Sequence, residues 1–161
     1  CMKELGSPAH GRDYYRTMQT LFQDELEYAV VYDAEDRPIG SALIFTHGDR
    51  AYLYHANVLS DYHPDCAGDF LYWSIIRMLS VRGFKSLDFG RSLINSGNEV
   101  FKMKYQPDRK MLSYWYYLKP GKSLPELNQK NPKFSLAIKL WQNMPSPLAH
   151  FLGPKLIWGI L

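Results

Sequence analysis

Three β-rich runs in close succession constrain the fold of this chain more than any other sequence feature. Residues 28–32, 38–46 and 51–58 are rich in aromatic and β-branched side chains and have the length of strands. The intervening segments, "DAEDRP" and "HGDR", are short and typical of turns. Because such short connections join antiparallel neighbours, the sequence predicts a meander of three antiparallel strands.

Helical patterns flank this meander. Apolar spacing in "GRDYYRTMQTLFQDEL" predicts a helix before it, and "DFLYWSIIRMLSVRG" predicts a mostly buried helix after it, with Gly83 as its stop. "FKSLDFG" predicts a short central strand, "GNEVFKMKY" one or two helical turns, and "MLSYWYYL" a final aromatic strand buried on both faces. "KFSLAIKLWQNM" predicts another helix before an apolar tail broken by three prolines. This order predicts an α/β (α+β) sheet with helices on both faces.

Length and composition narrow the class of protein. With 161 residues, 46% of them hydrophobic, the chain is long enough for one domain with a real core. The net charge of +3 is too small to indicate nucleic acid, and we expect no DNA partner. Two cysteines do not make a disulfide framework, so we expect a reducing, cytoplasmic compartment. No signal peptide and no apolar run of transmembrane length is present in the sequence.

The stretch from 87 to 105, "LDFGRSLINSGNEVFKMKY", is the strongest candidate site. A strand ends at Asp88, and Gly90 follows at its carboxyl end, where ligands bind in open α/β sheets. Arg91 and Lys102 would there neutralise an anionic ligand or stabilise an oxyanion, and the glycine permits close backbone approach. A structural alternative is that Asp88 pairs with Arg91 while Lys102 is solvated.

Other chemistry-bearing residues give weaker signals. His55 in "YLYHANV" stands where a general base could lie, although a structural histidine is the commoner explanation. Cys66 in "HPDCAG" has no partners in the sequence that would complete a nucleophilic triad. The histidines are dispersed without zinc-type spacing, so we expect no metal.

The combination of "LDFGRS", "SG", "FK" and a following aromatic strand resembles the Fem-type (FemAB-like) branch of the GNAT acyltransferase superfamily. It is most similar to the proteins of that branch that accompany exosortase/PEP-CTERM exopolysaccharide systems. "GSPAH", "GDFLYW" and "PLAHFLGP" extend the resemblance over nearly the whole chain. The resemblance implies a GNAT-like, mixed but mostly antiparallel central sheet flanked by helices, with a helical C-terminal tail. It also implies that residues 1–118 form the GNAT-like domain and residues 119–161 a connector and tail that pack on it or on a missing partner domain.

The activity implied by this resemblance is transfer of an acyl or aminoacyl group to an amine of a cell-envelope or exopolysaccharide precursor. The donor would be acyl-CoA or aminoacyl-tRNA. The resemblance implies catalytic roles for Lys102 and Asp88 and substrate binding by Arg91, Ser92, Gly90, Gly97, Lys104 and Tyr105. It further implies an N-terminal GNAT-like domain as partner in a longer chain.

Two alternatives stay open at the level of sequence. "SDYHPDCAGDF" stands where CoA-using relatives have a Q/R-x-x-G-x-G/A motif, which favours a non-catalytic docking domain for a polysaccharide or lipid-linked precursor. An ordinary acetyl-CoA-dependent N-acetyltransferase is the other alternative. The apolar tail at residues 145–161 suits either a peripheral contact at the inner face of a membrane or packing on protein.

Overall fold

The architecture is a four-stranded sheet with a helix on each face. The computed structural model describes residue 6 and residues 8–121 and 132–157. In chain order the elements are α1 (Arg12–Phe22), β1 (Leu26–Tyr32), β2 (Pro38–His47), β3 (Arg50–Val58), α2 (Ala67–Val81), β4 (Ser86–Asp88), α3 (Gly97–Met103), α4 (Pro132–Asn143) and α5 (Ser146–Ile157). Short 3-10 turns cover Gln23–Glu25 and Ser60–Tyr62. The predicted fold class is confirmed.

The predicted meander is also confirmed, since β1 pairs with β2 and β2 with β3, all antiparallel. Local turn chemistry explains the first hairpin. Asp33 Oδ1 accepts hydrogen bonds from the backbone N–H groups of Glu35 and Arg37, and its carboxylate pairs with the Arg37 guanidinium. These bonds hold the pKa of Asp33 at about 2, so the turn keeps its charge at any ordinary pH. Gly48, at φ +58, closes the second hairpin.

Each face of the sheet has its own apolar core. The larger core, against α2, includes Ile44, Leu71 and Ile75, which are almost fully buried. The smaller core, against α1, joins Met18 to Leu26 and Leu43. Because strand side chains alternate between faces, the neighbours Leu43 and Ile44 supply both cores.

The helix α2 is buried on one face only, so the prediction of a mostly buried helix was wrong. Phe70 and Trp73 are 61% and 57% exposed, and Val81 is 82% exposed. The sequence places apolar residues around most of the circumference of this helix, but the sheet covers only the stripe that faces it. Its predicted stop is confirmed: Gly83 adopts φ +84 directly after the helix.

The predicted aromatic strand "MLSYWYYL" at 111–118 is wrong. These residues have no regular secondary structure, and Trp115 and Tyr117 are 94% and 99% exposed. The pattern indicated β propensity, but a strand also needs a neighbour, and none of the described strands pairs here. As a consequence β4 is the edge of the described sheet rather than the predicted central strand.

The helical C-terminal tail is confirmed. Although Pro154 was expected to break the tail, α5 continues through it to Ile157. The segment before α1 lies against this tail: a Cβ built on Gly11 would be 3.1 Å from Pro154 Cβ. Among the residues that the structure describes, no helix combines the length and apolarity needed to cross a bilayer.

Candidate active site

The site lies in a cleft that opens where β3 and β4 separate. These two strands are parallel, and their pairing ends at Tyr52 and Asp88. The strand β3 continues for six more residues to Val58, with no described strand beside that edge. Alternate backbone N–H and C=O groups of this part of β3 therefore face the cleft instead of another strand.

A tight turn after β4 forms one wall. Asp88 Oδ1 accepts a hydrogen bond of 2.7 Å from the N–H of Gly90. Gly90 adopts φ +70, and a Cβ built on it would lie 3.3 Å from the carbonyl oxygen of Leu53. Both facts favour glycine, because a side chain here would be strained and would fill the space beside β3. Asp88 thus shapes the turn instead of forming the ion pair with Arg91 that the structural alternative expected.

Lys102 closes the cleft from α3. Its side chain is buried, and Nζ donates to the carbonyl oxygen of Arg91 at 3.0 Å and, more weakly, to that of Gly90 at 3.5 Å. Burial lowers the pKa of Lys102, while the negative charge of Asp88 favours the protonated form. The expectation of a solvated lysine is therefore wrong: Lys102 holds the 90–91 turn and presents its ammonium to the cleft.

The cavity formed by these parts has a volume of about 330 Å³. It is lined by Tyr52, Leu53, Tyr54, His55, Ala56, Tyr72, Phe89, Gly90, Arg91, Asn98 and Lys102. Arg91 is exposed, and its guanidinium donates to the hydroxyl of Tyr114 at 3.1 Å. That hydrogen bond is the main cause of a raised pKa for Arg91. The cleft thus combines two cationic groups with an unpaired strand edge, an arrangement suited to an anionic or polar ligand.

His55 and Tyr54 occupy the wall that β3 contributes. His55 is exposed, with its ring beside that of Tyr54. Partial loss of water contact lowers the pKa of His55 below the ordinary 6.5, and His10 acts in the same direction. A neutral imidazole at neutral pH is a competent general base. Tyr54 shares a 2.7 Å hydrogen bond with the hydroxyl of Tyr14. Burial, with help from that bond, raises the pKa of Tyr54 to about 12, so its hydroxyl stays protonated.

The site residues predicted from the sequence lie in different parts of the structure. Gly90, Arg91 and Lys102 line the cavity, with Asp88 directly beneath the turn. Lys104 and Tyr105 instead contact Asp69 in the first turn of α2, at 3.1 Å and 3.4 Å.

Two further predicted residues stand outside the cavity lining. Ser92 is exposed beyond the turn, and Gly97 begins α3 behind its cap, Ser96. The roles predicted for all these residues stay predictions.

Sequence reasoning missed Tyr52, Tyr54 and Asn98 as lining residues. A signal for the tyrosines was present in "YLYHANV", whose aromatic residues flank the candidate base His55. Cys66 is exposed and precedes α2 with φ 57. Within the described residues no group of three or more His, Cys, Asp or Glu side chains could hold a metal ion.

Comparison with known proteins gives the family. Residues 2–103 match the model of the acetyltransferase (GNAT) domain, which is more than half of the chain. The chain therefore belongs to the GNAT acetyltransferase family and is an acyltransferase. Members of this family use acyl-CoA donors. No curated protein matches the chain.

Solved structures agree on the fold. A putative acetyl transferase from Pyrococcus furiosus has a TM-score of 0.53 at 16% identity, covering 73% of this chain and 89% of its own. An aminoglycoside acetyltransferase from an uncultured soil metagenomic sample, in complex with sisomicin, has a TM-score of 0.53 at 16% identity. The match covers 65% of this chain and 74% of that enzyme. Glucosamine-6-phosphate N-acetyltransferase from Arabidopsis thaliana has a TM-score of 0.51 at 12% identity, and the match covers 66% of this chain and 76% of that enzyme.

Proposed function

We propose that this chain is an N-acyltransferase that moves an acyl group from acyl-CoA to an amine of a cell-envelope or exopolysaccharide precursor. The observation that carries the proposal is the cleft between β3 and β4, where a buried lysine, a glycine turn and an unpaired strand edge meet in a GNAT domain. We infer that the reaction takes place in the cytoplasm, where the chain would act as the C-terminal half of a longer Fem-like enzyme.

The residues of the cleft fit an acyl-CoA donor. Beyond Tyr52 the edge of β3 has no described neighbour, so a slender chain can lie along its free backbone groups. Bound acyl-CoA would supply an acyl carbon activated as a thioester. Backbone N–H groups of β3 and the ammonium of Lys102 would stabilise negative charge that develops on the acyl oxygen. Arg91, at the exposed rim, would bind an anionic part of a substrate.

His55 is the group we assign to proton transfer. Transfer forms a carbon–nitrogen bond on the acceptor and breaks the carbon–sulfur bond of the donor. The proton that the amine loses goes to the imidazole of His55, and the electron pair of the broken bond leaves with the thiolate. The lowered pKa of His55 supports this role, because the imidazole is then neutral and able to accept a proton at neutral pH.

The acceptor class rests on two kinds of support. The resemblance to Fem-type proteins of exopolysaccharide systems favours an amine on an envelope or polysaccharide precursor. The names of two structural neighbours, an aminoglycoside acetyltransferase and a glucosamine-6-phosphate N-acetyltransferase, also favour an amine borne by a sugar-like molecule.

The lack of a basic helical arm in the sequence disfavours aminoacyl-tRNA as donor.

Turnover measurements test this function. The protein is mixed with acetyl-CoA and a panel of amines, and free thiol is measured. We expect Lys102→Met to lower kcat/KM by about 10²- to 10³-fold, the usual loss for one group that stabilises an oxyanion. Lys104→Met is the matched control, because its ammonium pairs with Asp69 outside the cavity, and we expect less than about a threefold change. Equal losses in both variants would contradict the assignment.

A docking function without catalysis is the second candidate, favoured by one observation. The aromatic residues at 111–118 are exposed, and Tyr114 is hydrogen-bonded to the cleft residue Arg91. Aromatic rings beside a cation suit a polysaccharide carrying acidic groups. If acetyl-CoA does not bind but an anionic polysaccharide does, and Trp115→Ala abolishes that binding, the docking function replaces the catalytic one.

A further inference from the structure

In the part of the chain that the structure describes, the sheet face turned towards α1 is covered at one end and exposed at the other. Leu26 is buried against that helix, and side chains two residues apart on a strand share a face. Further along β1 on the same face, Tyr28, Val30 and Tyr32 are 51%, 43% and 56% exposed. Apolar side chains in a row on an uncovered sheet face are a common feature of binding surfaces.

A second cavity, of about 130 Å³, opens in this face. It is lined by Tyr15, Tyr28, Ser41, Ala42, Leu43 and His55. His55 also lines the larger cleft between β3 and β4. His55 is therefore the residue common to the two cavities, and a molecule held in the second cavity would lie beside it.

The chemistry of this second cavity selects among possible occupants. None of its lining residues is a carboxylate, a lysine or an arginine. Such a surface offers nothing to neutralise a phosphate, a carboxylate or an ammonium, so it suits a ligand whose amine is bound in its uncharged, nucleophilic form. It does offer two tyrosine rings, a serine hydroxyl and an imidazole, which suit the apolar faces and hydroxyl groups of a carbohydrate ring.

We propose that the second cavity binds the acceptor as an aminosugar, a hydroxylated ring bearing a primary amine. Tyr28 packs against the ring, Ser41 bonds one of its hydroxyls, and the amine points to His55. This proposal rests on the proposed acyl transfer and adds to it the acceptor's class and place. Tyr28 is a specificity-determining residue in this account, since it contacts the ring and not the reacting atoms.

Nuclear magnetic resonance titration with glucosamine tests the proposal directly, because it requires no turnover. We expect the shifts to concentrate on Tyr28, Ser41 and His55. Tyr28→Ala weakens the apparent affinity about three- to tenfold, the usual effect of removing one aromatic contact. Tyr32→Ala is the matched control: it lies on the same strand and face, is equally exposed, and does not line the cavity. We expect it to leave the affinity unchanged.

Three results would overturn the proposal: no shifts up to the solubility limit of glucosamine, shifts centred on another surface, or equal weakening by both substitutions. A parallel titration with acetyl-CoA separates this failure from failure of the proposed function. If acetyl-CoA shifts Gly90 and Lys102 while glucosamine gives no cavity shifts, the donor site stands and the aminosugar site falls. If glucosamine binds the second cavity and acetyl-CoA does not bind, the acyl transfer itself is wrong.

Discussion

At the scale of single residues, the site depends on two groups whose pKa is lowered by loss of water contact. Lys102 is buried under the turn after β4, whereas His55 is exposed on β3, with its ring beside that of Tyr54. In each case loss of water disfavours the charged form. The consequences differ, because Asp88 favours the charged form of Lys102 whereas His10 further disfavours that of His55. Both residues line the cleft, so the proposed reaction has one group suited to hold charge and one suited to accept a proton.

The lowered pKa of His55 predicts the pH dependence of catalysis. A general base works only when deprotonated, so activity falls as pH drops through its pKa. Because this pKa lies below 6.5, we expect the acidic limb of the kcat/KM profile to have its midpoint below 6.5. His55→Gln should remove that limb and lower the plateau by about 10²- to 10⁴-fold. A midpoint above 6.5, or a limb retained in the variant, would show that another group is the base.

At the scale of elements, the turn after β4 sets the width of the cleft. Gly90 stands at φ +70, while Gly97, seven residues on, begins a helix with open space around it. The left-handed backbone at Gly90 and its close approach to Leu53 shape the wall against β3. Because the two glycines differ in conformation and surroundings, replacing each of them by alanine tests the turn.

We expect Gly90→Ala to lower the free energy of unfolding by about 1–2 kcal/mol, because alanine is strained at this φ. Gly97→Ala, the matched control, should leave the stability unchanged or raise it by up to about 1 kcal/mol, since the site is helical and unobstructed. Urea denaturation followed by circular dichroism measures both. A Gly90→Ala variant as stable as the wild type would mean that the turn does not need its left-handed conformation.

Elements with local signals could be predicted from the sequence, and those that depend on distant partners could not. The strands β1 to β3 follow from hairpin turns within a few residues, and Gly83 marks the end of α2. The segment 111–118 has the composition of a strand, but its state depends on whether a neighbour exists.

The same distinction applies to the site. Lys102 and Gly90 were found from a short motif, whereas Tyr54 was missed. The aromatic residues of "YLYHANV" indicate a cluster of rings, but the register of β3 shifts opposite Leu43 and Ile44 of β2, and the sequence does not show how that shift directs each side chain.

At the scale of the whole molecule, the segment before α1 contacts the C-terminal helix α5. A Cβ built on Gly153 in α5 would lie 3.3 Å from the carbonyl oxygen of Ala9. Ala9 precedes α1, the helix that covers one end of the proposed acceptor face. The division at residues 118 and 119 stays a prediction, as do the N-terminal partner domain and the membrane contact of residues 145–161.

The central claim is that the cleft between β3 and β4 binds acyl-CoA, and calorimetric titration of acetyl-CoA tests it most directly. We expect a dissociation constant in the micromolar range, which corresponds to a binding free energy of about −8 kcal/mol. Lys102→Ala should weaken this affinity at least about tenfold, and Lys104→Ala should not change it. Absence of binding to the folded protein, or binding that Lys102→Ala leaves intact, would contradict the account.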